Sequence, residues 1–160
     1  MSLKLRIEPI SESNFNDFLF LVDKLAEYEK LTPPNEAARQ RLKADGISEN
    51  PKYEAYLGIL AGQAVGYLIY FYNYSSFLAL PTLYIEDIFI LQEYRRKGIG
   101  QKMFDFCIQK ARESGCGRVE WCVLTWNQPA IQFYEKNNAE RLDWYFYRYE
   151  KEQIESYPNY

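Results

Sequence analysis

Between Tyr53 and Leu91 the chain changes from helical to strand periodicity, and this change limits the folds open to it more than any other feature. EAYLGIL and QAVGYLIYFYN, within Tyr53 to Asn73, are rich in aromatic and β-branched residues around a short Ala61-Gly62 turn, which predicts a hairpin. A loop from Tyr74 to Pro81 leads to LYIEDIFIL at 83–91, a further strand. Upstream, residues 3–8 alternate apolar and polar as a half-buried strand closed off by Pro9. Phe15, Phe18, Leu19, Val22, Leu25 and Ala26 then recur at three- and four-residue intervals, one face of a helix. Ser11 or Ser13 can cap its start, and Pro33-Pro34 prevents its continuation. Residues 35–45 fit a second helix, with Gly46 placed to take the left-handed conformation after it.

Downstream of Leu91 the elements alternate. QEYRRKGIG leads into a helix of about 15 residues that stops at Ser114-Gly115. RVEWCVL at 118–124 is a strand, Gln128 to Lys136 a short helix begun near Pro129, and WYFYRYE at 144–150 a last strand. The order β-α-α-β-β-β-α-β-α-β implies a mixed α/β sheet in one domain spanning residues 1–160. A chain of 160 residues, 48% hydrophobic, buries roughly 70% of its extended surface, enough for one core without staples.

Composition narrows the chemistry. There is no histidine, which removes the commonest general base near neutral pH, the commonest nitrogen ligand for zinc and every His-dependent triad; no metal is expected. Nineteen Lys and Arg against 22 Asp and Glu give a net charge of −3 without like-charge blocks, which argues against nucleic-acid binding. Cys107, Cys116 and Cys122 form no C-x-x-C pair and read as free thiols of a reducing, cytoplasmic compartment. MSLKLRIEPI lacks a long apolar h-region and no stretch approaches 18 apolar residues, so neither secretion nor membrane spanning is expected.

The segment richest in chemistry is the strand at 83–91 followed by Arg95-Arg96-Lys97-Gly98-Ile99-Gly100 and a helix. Glycines at such a turn let backbone N–H groups converge, the helix N-terminus favours an anion, and three basic side chains reinforce both. The pattern predicts a phosphate or pyrophosphate site; its bland alternative is a tight turn beneath a solvated basic triplet. Neither a Walker loop nor a complete G-x-G-x-x-G is present.

Arg95-x-x-Gly98-x-Gly100 after an acidic strand resembles the acetyl-CoA loop of the GNAT acyltransferase superfamily. LAEYEKL at 25–31, YIEDIFI at 84–90, YRRKGIG at 94–100 and TWNQPAIQFYEK at 125–136 are together similar to the diamine (spermidine/spermine) N-acetyltransferases and their thialysine Nε-acetyltransferase relatives. The resemblance runs over nearly the whole chain. It implies a mixed, mostly antiparallel sheet of 6–7 strands with flanking helices, acetyl-CoA as cosubstrate, a small primary amine as acceptor, and a homodimer. It further implies that Ile88, Phe89 and Ile90 pair with the pantetheine arm and that Arg95, Arg96, Lys97, Gly98, Ile99, Gly100 and Gln101 hold the pyrophosphate. Asn127, Gln128, Pro129 and Ala130 match a second cofactor contact. Tyr134 matches the proton donor beside the thioester sulfur, and Tyr28, Glu29, Glu86, Glu120, Trp121 and Cys122 match the amine site.

Chemistry agrees with those positions. An alkylamine with a pKa near 10.4 is protonated at neutral pH and must lose a proton before it can attack a carbonyl. Without histidine, Glu86 is the best acceptor, directly or through water, while Asp87 can attract the cation. Successive strand residues face opposite ways, so the two carboxylates take separate roles unless a bulge re-aims one. A backbone N–H near Ile88 could stabilise the oxyanion, and direct transfer is favoured because no cysteine has a histidine to activate it. Ser75, Ser76 and Phe77 stand where polyamine-acetylating members carry an acid and a tryptophan, which points towards the thialysine branch. AERLDWYFY omits an acidic turn, for which Asp143 is a candidate substitute, and the aromatic 144–149 segment with Tyr157 and Tyr160 offers interface material. Acylation of a protein or peptide, or a non-catalytic CoA-binding role, stays open.

Overall fold

A computed structural model describes residues 4–158; Leu3 of the first expected strand and Tyr160 lie outside the described residues. Residues up to Cys122 form one compact unit and those from Val123 onward a second. The first holds a five-stranded sheet in the order β1-β2-β3-β4-β5, rather than six or seven strands. Its strands are β1 (Arg6–Pro9), β2 (Glu54–Leu60), β3 (Gln63–Ser75), β4 (Leu80–Ile90) and β5 (Arg118–Trp121). The first three pairings are antiparallel and β4 with β5 is parallel, so the sheet is mixed and mostly antiparallel.

Each element follows from local chemistry. Ala61 (φ 51°) and Gly62 (φ 83°) supply the two positive angles that a tight hairpin turn requires. Helix α1 (Phe15–Glu29) buries Phe15, Phe18, Leu21 and Ala26 against Leu57, Tyr67, Ile69 and Phe89 of the sheet. Large apolar side chains of this kind stabilise by roughly 1.5–3 kcal/mol each. On the opposite face α3 (Ile99–Glu113) buries Ile99, Met103, Phe104, Cys107 and Ala111, and it ends at Ser114 with Gly115 left-handed. Helix α2 (Glu36–Gly46) starts at Asn35, whose Oδ1 accepts the Ala38 N–H. An Arg39–Asp23 ion pair of 2.7 Å ties it to α1.

Several expectations are corrected. Asn14, not Ser11 or Ser13, starts α1: its Oδ1 accepts the Ser11 N–H and its Nδ2 donates to Pro9 O, bracing the turn rather than the helix. The helix ends at Lys30 in the left-handed conformation, ahead of the two prolines. Gly46 is the last helical residue and is not left-handed; a β-carbon there would fall on the Tyr53 ring and Ile10, so close approach is what requires glycine. Pro9 lies inside β1, opposite Tyr56, and the loop expected at 74–81 shrinks to Ser76–Ala79 because β3 and β4 form a long hairpin. The strand expected at 118–124 stops at Trp121.

The second unit contains α4 (Gln128–Lys136), as expected, and α5 (Lys151–Glu155), which was not. A reciprocal capping box between Glu150 and Gln153 starts α5. The strand expected at 144–150 does not form among the described residues. Trp144, Tyr145, Phe146 and Tyr147 are 74%, 88%, 70% and 87% exposed, so neither face of that segment is buried and no ladder partner fixes it.

Candidate active site

The site begins where β4 loses a neighbour. Thr82 to Ile85 of β4 pair with Arg118 to Trp121 of β5, but beyond Ile85, among the described residues, β4 has β3 alone as a ladder partner. At that point the register jumps: Tyr70 faces Ile85 and Ile69 faces Asp87, leaving Glu86 as the extra residue of a β-bulge. Tyr84 pairs with Phe71 and Asp87 with Ile69, so Tyr84 and Asp87 share a face of the sheet although three residues apart. The bulge therefore supplies the re-aiming that lets both carboxylates act on one side.

The ladder also fixes where backbone groups point. Leu91 N–H bonds Val65 O at 2.9 Å, which makes Gly66 and Ile90 a non-hydrogen-bonded pair and Tyr67 and Phe89 a hydrogen-bonded one. By alternation, the N–H and C=O of Ile88 and Ile90 aim away from β3, towards the open side. Ile90 O is taken by Arg95 Nε at 2.9 Å. An extended amide chain laid along this edge could bond Ile88, and the Ile88 N–H could face an oxyanion.

Past a 3₁₀ turn at Gln92–Tyr94, the chain reaches the glycine turn. Arg96 (φ 61°) and Gly98 (φ 76°) are both left-handed, flanking Lys97, and Gly98 caps α3. The N–H groups at the start of α3 precede the helix's own ladder, so the turn presents donors and the positive helix end together. Arg96, Lys97 and Gly98 are exposed, Gly100 and Gln101 half-buried, and Ile99 plugs the core. Arg95 differs from its neighbours: its guanidinium lies 4.6 Å from the Tyr28 ring and 5.6 Å from the Phe89 ring, locking the turn against the α1 end.

Asp87 is the most perturbed carboxylate on the bulge face. Burial, followed by the charge of Glu86, raises its pKa to about 6, against the opposing hydrogen bond from Tyr67 Oη at 3.1 Å. Glu29 reaches the same cluster from the end of α1, and burial raises its pKa also. Tyr28 beside it meets Phe89 at 6.4 Å between ring centroids. Tyr84 donates to Cys122 Sγ at 3.2 Å, and burial, this bond and the charges of Glu86 and Glu120 hold its phenol well above the ordinary range. Tyr28, Glu29, Glu86, Asp87, Glu120 and Cys122 are thus gathered around one face of β4 and β5. Trp121 is not: it pairs with Ile85 and packs edge-on against Phe104 of α3, 5.4 Å away, on the other face.

In the second unit, Asn127 Oδ1 accepts the Ala130 N–H at the start of α4, and Gln128 and Pro129 form its exposed first turn. Tyr134 is half-buried, its ring 5.4 Å from that of Phe133. Cys107 is fully buried, which pushes its thiol up to about 12 and leaves it a core residue. Sequence reasoning missed Tyr67 and Tyr84, which carry the hydrogen bonds of the cluster. Their signal lies in the β3–β4 and β4–β5 registers, not in any local motif.

The match of most of the chain to one family makes the protein an acyltransferase. Residues 19–139 match the acetyltransferase (GNAT) family, and the chain belongs to that family. It is an N-acetyltransferase, an enzyme that moves an acetyl group to an amine. It is 33% identical to the thialysine N-epsilon-acetyltransferase of Bos taurus, covering 92% of this chain and 94% of that one. It is 43% identical to an L-ornithine N5-acetyltransferase of Arabidopsis thaliana, over 61% of this chain and 44% of that protein. Among solved structures, an aminoglycoside N-acetyltransferase in complex with CoA superposes with a TM-score of 0.77 at 14% identity, covering 94% of this chain and 97% of that one. Among the described residues no helix is long and apolar enough to cross a membrane.

Proposed function

We propose that residues 1–160 act as one catalytic domain that transfers the acetyl group of acetyl-CoA to the primary amine of a small molecule. The acceptor is a thialysine- or lysine-like amino acid or a short diamine. The observation that carries this reading is the open half of β4, where an unpaired Ile88 N–H stands beside the bulged Glu86 and the Asp87 carboxylate. The names of the thialysine and ornithine acetyltransferases it resembles support the substrate class.

The ammonium of the substrate is drawn to Glu29, Asp87 and Glu120, and Tyr28 and Cys122 line its path. Glu86 takes its proton, directly or through water, and the neutral nitrogen attacks the acetyl carbonyl in a ternary complex. Carbon–nitrogen bond formation creates an oxyanion that the Ile88 N–H stabilises. The carbon–sulfur bond then breaks, Tyr134 donates its phenolic proton to the departing CoA thiolate, and the second proton shed by the nitrogen as it becomes an amide restores the phenol. Ile88 and the Ile90 N–H pair with the pantetheine arm, whereas the Phe89 backbone, expected to join them, is turned to Tyr67 of β3; Arg96 to Gln101 hold the pyrophosphate, and Asn127 to Ala130 make the second contact. Arg95 serves this site by bracing the turn.

The exposed aromatics at 144–147, with Tyr149 and Tyr157, support a homodimer built on that segment. Three free cysteines support a reducing, cytoplasmic setting. The test is CoA release with acetyl-CoA and a panel of thialysine, lysine, ornithine, putrescine, spermidine and peptides. Turnover of the small amines ahead of the peptides is expected. Preference for peptides would make this a protein acetyltransferase, and tight acetyl-CoA binding without turnover would make it a binding module.

A further inference from the structure

Tyr67 is the largest side chain in the core that carries a polar tip aimed at the site. It is 0% exposed, with its ring packed 5.4 Å from Phe18 and 6.2 Å from Phe89. Its hydroxyl donates to Asp87 Oδ2 at 3.1 Å. Neither the aromatic patterning of β3 nor the amine-site residues required a phenol here; phenylalanine would fill the same space. A buried hydroxyl needs a partner, and this one has been given a carboxylate rather than a backbone carbonyl.

The partner carboxylate sits beside a second one because of the bulge. Glu86 and Asp87 are consecutive, the bulge lets both act on the face that Tyr84 shares, and the charge of Glu86 is felt by Asp87, Tyr67 and Tyr84 alike. From α1, Glu29 adds a third negative group, while Arg95 on the same face is engaged with Ile90 O and the Tyr28 and Phe89 rings. Among the described residues, the Tyr67 hydroxyl is the group whose bond favours the ionised form of Asp87, against burial, Glu86 and Glu29.

We propose that Tyr67 is a positioning residue of the amine site: by holding Asp87 through Oδ2 it keeps Asp87 beside the bulged Glu86 as an acidic pair, so that an ionised Asp87 meets the substrate ammonium where Glu86 takes its proton. The proposal rests on the functional reading above. It assigns Tyr67 no contact with substrate. The substrate ammonium gives its proton to Glu86, and the ionised Asp87 beside it attracts and holds that ammonium. Asp87 ionises more easily with the Tyr67 bond than without it. The charged form of Asp87 is therefore reached at lower pH with the phenol in place.

The test is the titration of the Asp87 side-chain carboxyl by carbon-13 NMR, assigned by its loss in Asp87→Asn, in the parent, Tyr67→Phe and Glu86→Gln. Tyr67→Phe removes a bond to the charged form, so the midpoint should rise by about half a pH unit or more. Glu86→Gln removes a like charge, so the midpoint should fall. The acid limb of kcat/KM for a small amine should move up in Tyr67→Phe by the same amount as the carboxyl midpoint. An unmoved midpoint in Tyr67→Phe, with only a lower melting temperature, would reduce Tyr67 to a core residue and overturn the proposal. An unmoved midpoint in Glu86→Gln, a surface change that tests coupling even if the core variant fails to fold, would overturn the pair. If both midpoints move yet the parent acetylates no amine, the functional reading fails while the coupled pair stands.

Discussion

The two halves of β4 share one strand and one neighbour, β3, yet they do different work. Leu80 to Ile85 is walled in by β5 for most of its length, and Thr82, Leu83 and Ile85 are buried there. From Glu86 to Ile90 the β5 side is open, the first residue bulges, and the N–H and C=O of Ile88 turn outward. A strand paired on both sides has no backbone group to offer a ligand. The chemistry therefore gathers where pairing stops, and the bulge at the junction converts an alternating strand into one that presents two adjacent carboxylates on a single face.

The comparison breaks most sharply at Ile88. Because its N–H serves no β3 partner, Ile88→Pro should leave the fold intact while removing the oxyanion donor, cutting kcat by about 10²–10³-fold. Thermal melting alongside steady-state kinetics would check it, and a large loss of stability with little loss of turnover in the surviving fold would reverse the roles of the two halves. On the closed half, Leu83→Ala should do the opposite. Leu83 is fully buried between Tyr72 and Val119 in the ladder, and its truncation should cost about 2–5 kcal/mol in denaturant unfolding, with kcat/KM per folded molecule nearly unchanged.

Much of this architecture was legible in the sequence where a single segment carries its own instruction. Ala61-Gly62 specified the hairpin, Ser114-Gly115 the end of α3, and Pro129 the start of α4, because turn and cap chemistry acts within a few residues. Features that depend on two segments were not legible. The Glu86 bulge exists only in the register between β3 and β4, and the turning of Trp121 away from the amine face follows from its parallel pairing with Ile85. Gly46 was misread because a close approach to Tyr53 and a left-handed cap both select glycine. The aromatic run at 144–150 had strand composition without a partner, and composition alone does not make a ladder.

A smaller effect sharpens the picture beyond the end of the open half. Gly98 has a φ of 76° with clear space where a β-carbon would sit, so Gly98→Val meets backbone strain rather than a clash. It should raise KM for acetyl-CoA by about tenfold while leaving KM for the amine close to that of the parent. Equal changes in both constants would mean that the turn shapes the whole site rather than the phosphate end.

The central claim is that the bulged carboxylate removes the proton that holds the amine inactive. Its most direct test is the rate of CoA release from Glu86→Gln against the parent, with a small diamine, measured from pH 6 to pH 10 on the scale over which a free amine itself deprotonates. A loss of about 10²–10⁴-fold near neutral pH, shrinking as the amine in solution becomes neutral, is the expected result. A variant that keeps the parent's rate and pH profile near neutrality would contradict the account.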